Sequence, residues 1–362
     1  MTTLAALALV TVSVVQDTAG YNSWPMIQAM NGKLVCAYSR GSAHTIDEGM
    51  RGVFARVSAD CGRTWSDEVC VANDLSVGEV TVGKGLDERG AMLLWVRRWG
   101  ASKGHDLYRT ADGVKFEKVS TPSLSPMPMQ ITDIFAVENG LMCLWFATDY
   151  STNTCGSSWG TLFSADNGRN WKQTAMESGL PLAELPTEPS VVNIGGGRLL
   201  AIARREKCGG NVQFQLTSTD DGATWKRSIT NIRDVLDSTP SLIYDVKTKT
   251  VYNYYYQRGA KKLRLRVTNP DSVFGNPCAW PESEVVFNGS ECGIYNAGNV
   301  NATAFRGGHF LALYFGNDTN TAVFVVVHFR ASRSSSTAPT PNLCASSFRQ
   351  QPNPAKPTPP SG

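Results

Sequence analysis

The sequence predicts an all-β fold, a six-bladed β-propeller whose N-terminal strand closes the last blade. Three observations carry this expectation. One turn motif recurs at near-constant spacing, strand-length apolar segments flank each copy, and the composition is rich in glycine and aromatic residues.

The motif is Ser-x-Asp-x-Gly-x-x-Trp. It occurs as Ser58-Ala-Asp60-Cys-Gly62-Arg-Thr-Trp65, as Ser164-Ala-Asp166-Asn-Gly168-Arg-Asn-Trp171 and as Ser218-Thr-Asp220-Asp-Gly222-Ala-Thr-Trp225. A shortened copy, Thr110-Ala-Asp112-Gly113-Val-Lys-Phe116, falls between the first two, and a decayed one, Asp271 with Trp280, follows the third. Successive Asp positions are 52, 54, 54 and 51 residues apart. A period of this length with strands on both sides is that of a four-stranded propeller blade. Within each copy the Asp accepts backbone N–H groups, Gly supplies a positive φ and the aromatic packs back onto the sheet.

Five marked turns imply five blades, and the segment from Glu284 to Arg330 supplies the sixth. The apolar run Leu4 to Val15 then becomes the outer strand of that last blade, which removes the open sheet edges. As a secretion signal this run lacks a preceding basic residue and a following cleavage site. From Ala331 onward Ser, Pro, Thr, Gln and Asn dominate, so the expected organisation is a propeller over 1–330 and a disordered Pro/Ser-rich tail over 331–362.

Composition limits the function classes. A net charge of +3, from 34 basic and 31 acidic residues, is too small and dispersed for a nucleic-acid or membrane surface. No apolar stretch reaches the length of a membrane span. The nine cysteines are odd in number and stand mostly singly in apolar runs, which reads as mostly free, buried thiols. His44 and His105 are isolated, so neither a metal nor a cofactor is expected. Trp95, Trp99 and Trp145 read as blade-core fillers, with one at the channel mouth as an alternative sugar platform.

The repeated Ser-x-Asp-x-Gly-x-x-Trp turns resemble the Asp boxes of sialidases, over roughly Asn22 to Arg330. Thr187-Glu188-Pro189-Ser190-Val191-Val192, followed by Gly197-Arg198-Leu199-Leu200 and Arg204, is similar to the sialidase stretch that carries an active-site Glu and an Arg gripping the substrate carboxylate. Thr239-Pro240, with Tyr254 and Arg258 beyond it, looks like the next blade's inner strands ending in a second carboxylate-binding Arg. Arg204 and Arg258 are 54 residues apart, one period, so both should point to one end of the propeller.

Two departures bear on the branch. The Arg-Ile-Pro motif that usually opens exo-acting sialidases is replaced by Tyr21-Asn22-Ser23-Trp24-Pro25, which resembles the first blade of bacteriophage endosialidases, the tailspike enzymes that degrade polysialic acid. Gly293-Ile294-Tyr295-Asn296-Ala297-Gly298-Asn299-Val300 looks like a stretch of their last blade, with Asn299 in the column of the exo-type nucleophilic Tyr and Tyr295 nearby. Against this, Arg40 and Asp47 stand much like an exosialidase's second triad Arg and general acid.

The resemblance implies a glycosidase acting on sialylated glycans or polysialic acid, placed outside the cell or on a phage virion, and a homotrimer if it belongs to a tailspike. In the exo reading Asp47 is the acid and Glu188 polarises Tyr295 as nucleophile; in the endo reading Glu188 acts directly as acid or base. Arg204 and Arg258 are expected to bind the carboxylate, with Arg40 as a third candidate on its exosialidase-like placement. Each residue also has a plainer structural role, as turn carboxylate, strand-end charge or packing aromatic. Two non-enzymatic readings stay open: a carbohydrate-binding propeller without turnover, such as a phage receptor-binding or adhesin module, and a purely structural propeller.

Overall fold

The computed structural model describes residues 9–44, 50–149, 156–206, 212–235, 238–289 and 297–329. These form six small antiparallel sheets, each running from an inner strand outward. Blade 1 comprises Tyr21–Met30, Lys33–Gly41, Met50–Ser58 and Val69–Ala72; blade 2 comprises Val77–Leu86, Met92–Gly100, Gly104–Thr110 and Glu117–Ser120. Blade 3 has a broken inner edge, Gln130–Ile131 and Phe135–Val137, then Gly140–Ala147, Ser157–Ser164 and Lys172–Leu180. Blade 4 is Pro186–Gly195, Arg198–Arg205, Phe214–Ser218 and Lys226–Ile229, and blade 5 is Pro240–Asp245, Thr250–Gln257, Lys262–Thr268 and Glu284–Asn288. Blade 6 combines Ala297–Phe305, Gly308–Gly316 and Thr321–Phe329 with the N-terminal strand Leu9–Gln16.

The six-bladed propeller is therefore the fold, closed as the sequence predicts: Leu9 pairs with Phe329 and Val14 with Phe324 in an antiparallel ladder. One boundary shifts. Glu284–Asn288 pairs with Lys262–Thr268 and is the outer strand of blade 5, so blade 6 starts at Ala297. The cause is the repeat itself, in which the strand after each turn completes the blade it follows.

The repeated turns link the third and fourth strands and share one hydrogen-bond pattern. In the first, Ser58 donates to Asp60 (2.8 Å) and accepts from the Gly62 N–H (2.8 Å), while Asp60 accepts from the N–H of Thr64 (2.9 Å) and from its hydroxyl (2.6 Å). Ser164/Asp166/Gly168 and Ser218/Asp220/Gly222 repeat it. Each turn leans on the preceding blade. A Cβ at Gly168 (φ +86°) would stand 2.6 Å from Leu107, and Trp171 packs at 5.2 Å from Trp95, both in blade 2. Turn and core thus fasten neighbouring blades together.

The fifth copy departs from expectation. Pro270–Phe274 is a short helix capped by Asn269, and Asp271 pairs with Arg198 of blade 4 at 2.7 Å instead of organising a turn. Ser and Gly are missing at the two positions the turn needs, and Pro270 presets helical φ. Trp280 keeps its packing role, buried and donating to Gln215 of blade 4 at 2.9 Å.

Trp95 and Trp145 fill blade cores, whereas Trp99 is only half-buried at the end of its strand. Five described cysteines are free thiols, yet only Cys36 and Cys143 are buried; Cys61 is half-buried, and Cys70 and Cys278 are exposed on strand and turn edges. Cys155, Cys208, Cys292, Cys344 and the tail 331–362 lie outside the described residues. No helix among the described residues is long and apolar enough to cross a membrane.

Candidate functional site

The turns gather at one end of the propeller, and a cavity of about 380 Å³ opens at the other. The inner strands reach this end through bulges. In blades 1, 4 and 6 two residues oppose one: Trp24-Pro25 face Tyr38, Glu188-Pro189 face Ala203, and Asn299-Val300 face Leu313. Trp24, Glu188 and Asn299 take positive φ of 48°, 48° and 46°. Non-glycine residues hold this conformation at a cost of about 1–3 kcal/mol, and bulges re-aim side chains. All three line the cavity, so the distortion turns inner-strand side chains toward the axis.

Glu188, Arg204 and Arg258 come together as the sequence predicts. Arg204, next to last in the second strand of blade 4, binds Glu188 at 2.8 Å and the buried Glu206 at 2.8 Å. Arg258 follows the second strand of blade 5; its guanidinium donates to the Ala297 carbonyl (3.2 Å) and to Asn299 Oδ1 (2.9 Å). Arg204 is held by carboxylates of its own blade and Arg258 by blade 6, and both line the cavity, an arrangement suited to oriented binding of a carboxylate.

Arg40 does not join them. It pairs with Glu68 at 2.7 Å, donates to Thr18 at 3.1 Å and lies over Phe54, within a polar cluster that also contains Tyr38 and Gln16. Glu68, contributed by the segment between the third and fourth strands, draws the Arg40 side chain away from the axis. Arg40, expected to grip the carboxylate, is thus held in an ion pair with Glu68 and is not among the residues that line this cavity. Asp47 and Tyr295 fall outside the described residues.

Sequence reasoning missed His44, Arg97, Trp24 and Asn299 as one group. His44 lines the cavity, shares a 2.7 Å hydrogen bond between Nδ1 and the Tyr21 hydroxyl, and packs edge-on against Trp24 at 5.4 Å. Burial and then the Arg258 charge push its pKa below the usual histidine value, opposed by Glu188 and Asp318. His44 is therefore a neutral imidazole at neutral pH. The Tyr21 hydroxyl is itself pushed far up by burial and by Tyr314. His105 stays apart from the cavity, buried and held neutral at about 3 by desolvation and then by Arg97.

Arg97 had a legible signal. It lies 107 residues before Arg204, two repeat periods, and like it approaches the end of a blade's second strand. The rest of the wall is mostly apolar, from Val80, Val82, Met26, Met129 and Phe146, with Thr81 and Gln130 as further polar groups. Such a cavity, with cations, one carboxylate and an apolar floor, suits an acidic ligand with a carbon ring. Among the described residues no cluster of three or more His, Cys, Asp or Glu could hold a metal ion.

Similar solved structures share this architecture. A Dyadobacter fermentans protein of unknown function superimposes with a TM-score of 0.69 at 16% identity, covering 88% of this chain and 99% of that one. A Trypanosoma rangeli sialidase in complex with the inhibitor DANA gives 0.62 at 13% identity, over 89% of this chain and 60% of the sialidase. A phage phi92 endosialidase gives 0.62 at 11%, over 92% and 72%. No family model and no curated protein sequence matches the chain. The propeller is thus of the kind found in sialidases.

Proposed function

We propose that the protein is a glycoside hydrolase that cleaves sialic-acid glycosidic bonds. The observation that carries this reading is the convergence of Glu188, Arg204 and Arg258 on one cavity from adjacent blades. A sialoside bears a carboxylate on its anomeric carbon, and paired guanidinium forks bind and orient such a group.

The chemistry follows from charge. Cleavage builds positive charge on the anomeric carbon, and a carboxylate beside it stabilises the oxocarbenium-like state. Glu188, ion-paired to Arg204, supplies that anion and takes a proton from the attacking water as the glycosidic C–O bond breaks, while the departing sugar oxygen takes up a proton in turn. His44, neutral and oriented by Tyr21, stands ready to move a proton at the nitrogen not engaged by the tyrosine. The apolar wall receives the sugar ring and excludes water, which strengthens each polar contact.

Trp24 stands in the bulge of blade 1, and Arg40 is occupied elsewhere, so the exo-type set of cations is incomplete. This favours an endo-acting enzyme on polysialic acid, such as a capsule depolymerase of a phage tail. The second reading, a sialic-acid-binding propeller without turnover, draws on the same incompleteness.

The test compares wild type and Glu188→Ala on polysialic acid and on a small sialoside. Shortened oligomers from the polymer alone, lost in the variant, support the endo-acting enzyme. Release from the small sialoside points to exo action with Asp47 and Tyr295, and binding without turnover of either leaves the lectin-like propeller.

A further inference from the structure

We propose that Arg97 and Trp99 form a second subsite, which takes the next acidic sugar of a charged glycan; the inference rests on reading the cavity as an acidic-sugar site. Arg97 belongs to the second strand of blade 2, is 8% exposed and lines the cavity with Arg204 and Arg258. In a ring of six blades each step is about 60°, so blade 2 stands opposite blade 5. Arg97 therefore faces Arg258 across the cavity, and Val80, Val82, Met129 and Phe146 also line it.

Arg204 and Arg258, on neighbouring blades, grip the carboxylate of the first acidic sugar in the proposed site. A third guanidinium across an apolar floor meets a different group of the ligand. What lies outward of it identifies that group. The Arg97 guanidinium lies over the Trp99 ring at 4.7 Å, and the ammonium of exposed Lys103 lies over the same ring at 3.9 Å. Cation, aromatic ring and cation thus run from the cavity to the rim of blade 2. Aromatic faces stack on sugar rings and cations pair with carboxylates. A chain that repeats ring and carboxylate matches this order, and a lone acidic sugar uses only its inner end.

The experiment measures calorimetric affinity for a sialic acid monomer glycoside and a sialic acid tetramer, in a Glu188→Gln background so that the tetramer survives. The expected result is tetramer affinity at least about tenfold above monomer affinity. Arg97→Ala should remove about tenfold to a hundredfold of tetramer affinity and leave monomer affinity within about twofold. Lys103→Glu, at an exposed position that does not threaten folding, should give a smaller loss of the same pattern that shrinks with added salt. Equal loss of monomer and tetramer in Arg97→Ala would place Arg97 in the primary carboxylate grip and overturn the subsite. So would a tetramer that binds no better than the monomer. Failure of the parent to bind either ligand sinks the acidic-sugar reading together with the subsite, an outcome separated from the others by the loss of monomer binding.

Discussion

The two ends of this propeller are built on opposite rules. At the turn end, blades 1, 3 and 4 repeat one hydrogen-bond pattern with the same residues in the same places. At the cavity end the blades diverge: the bulges present Trp24, Glu188 and Asn299, and the second strands contribute Arg97, Arg204 and Phe146. Repetition serves adhesion between blades, because each turn packs on its neighbour in the same way. Divergence serves the ligand, because an asymmetric glycan that enters at the axis meets a different group on each side.

This contrast predicts separable effects. Glu188→Gln should lower turnover of polysialic acid by about a hundredfold to ten-thousandfold, the usual weight of a positioned acid or base, with an unchanged thermal midpoint. Normal turnover in that variant would remove Glu188 from the chemistry. Arg258→Lys keeps the charge but loses the planar fork, so sialoside affinity should fall by about tenfold to a hundredfold in a calorimetric titration, again without unfolding.

At the other end the signs reverse. Gly168→Val places a side chain at φ +86° against Leu107, and chemical denaturation should register a loss of about 1–3 kcal/mol. Turnover per folded molecule should stay at the wild-type level. A fall in specific activity would mean that the two ends are coupled.

The smallest effect concerns acid. Burial raises the Asp60 pKa, but hydrogen bonds from Thr64, Ser58 and Arg63 outweigh it and bring the carboxyl from 3.8 down to about 2. A depressed folded-state pKa contributes stability above the unfolded value, and that contribution disappears as pH falls from about 4 toward 2. Asp60→Asn should therefore be less stable than wild type near neutral pH, with the difference narrowing over that interval in a pH series of melting curves. A constant difference would assign the effect to lost packing.

The turn end was legible because each turn closes within eight residues. Ser58, Asp60 and Gly62 find their partners inside the motif, so residue type and spacing carry the whole instruction. Where the instruction is incomplete, as around Asp271, a capped helix replaces the turn. The cavity end was legible in part. Arg204 and Arg258 share one period and arrive together, while Arg40, near the corresponding strand end, is drawn off by Glu68. Neither the spacing nor the residue type of Arg40 announces that partner. His44 looked isolated because Tyr21 and Trp24 stand about twenty residues earlier, and Arg258 belongs to another blade.

From residue order alone came the repeat, the number of blades, the closure by the first strand and the expectation that Glu188 and the period-related Arg204 and Arg258 share one end of the propeller. Folding in three dimensions settled which side chains turn to the axis. In a strand, a shift of one residue moves a side chain to the opposite face, and the two-for-one bulges at Trp24, Glu188 and Asn299 impose such a shift just beside the cavity. A bulge forms through the ladder with its partner strand and the packing of neighbouring blades, interactions that no short stretch of sequence contains.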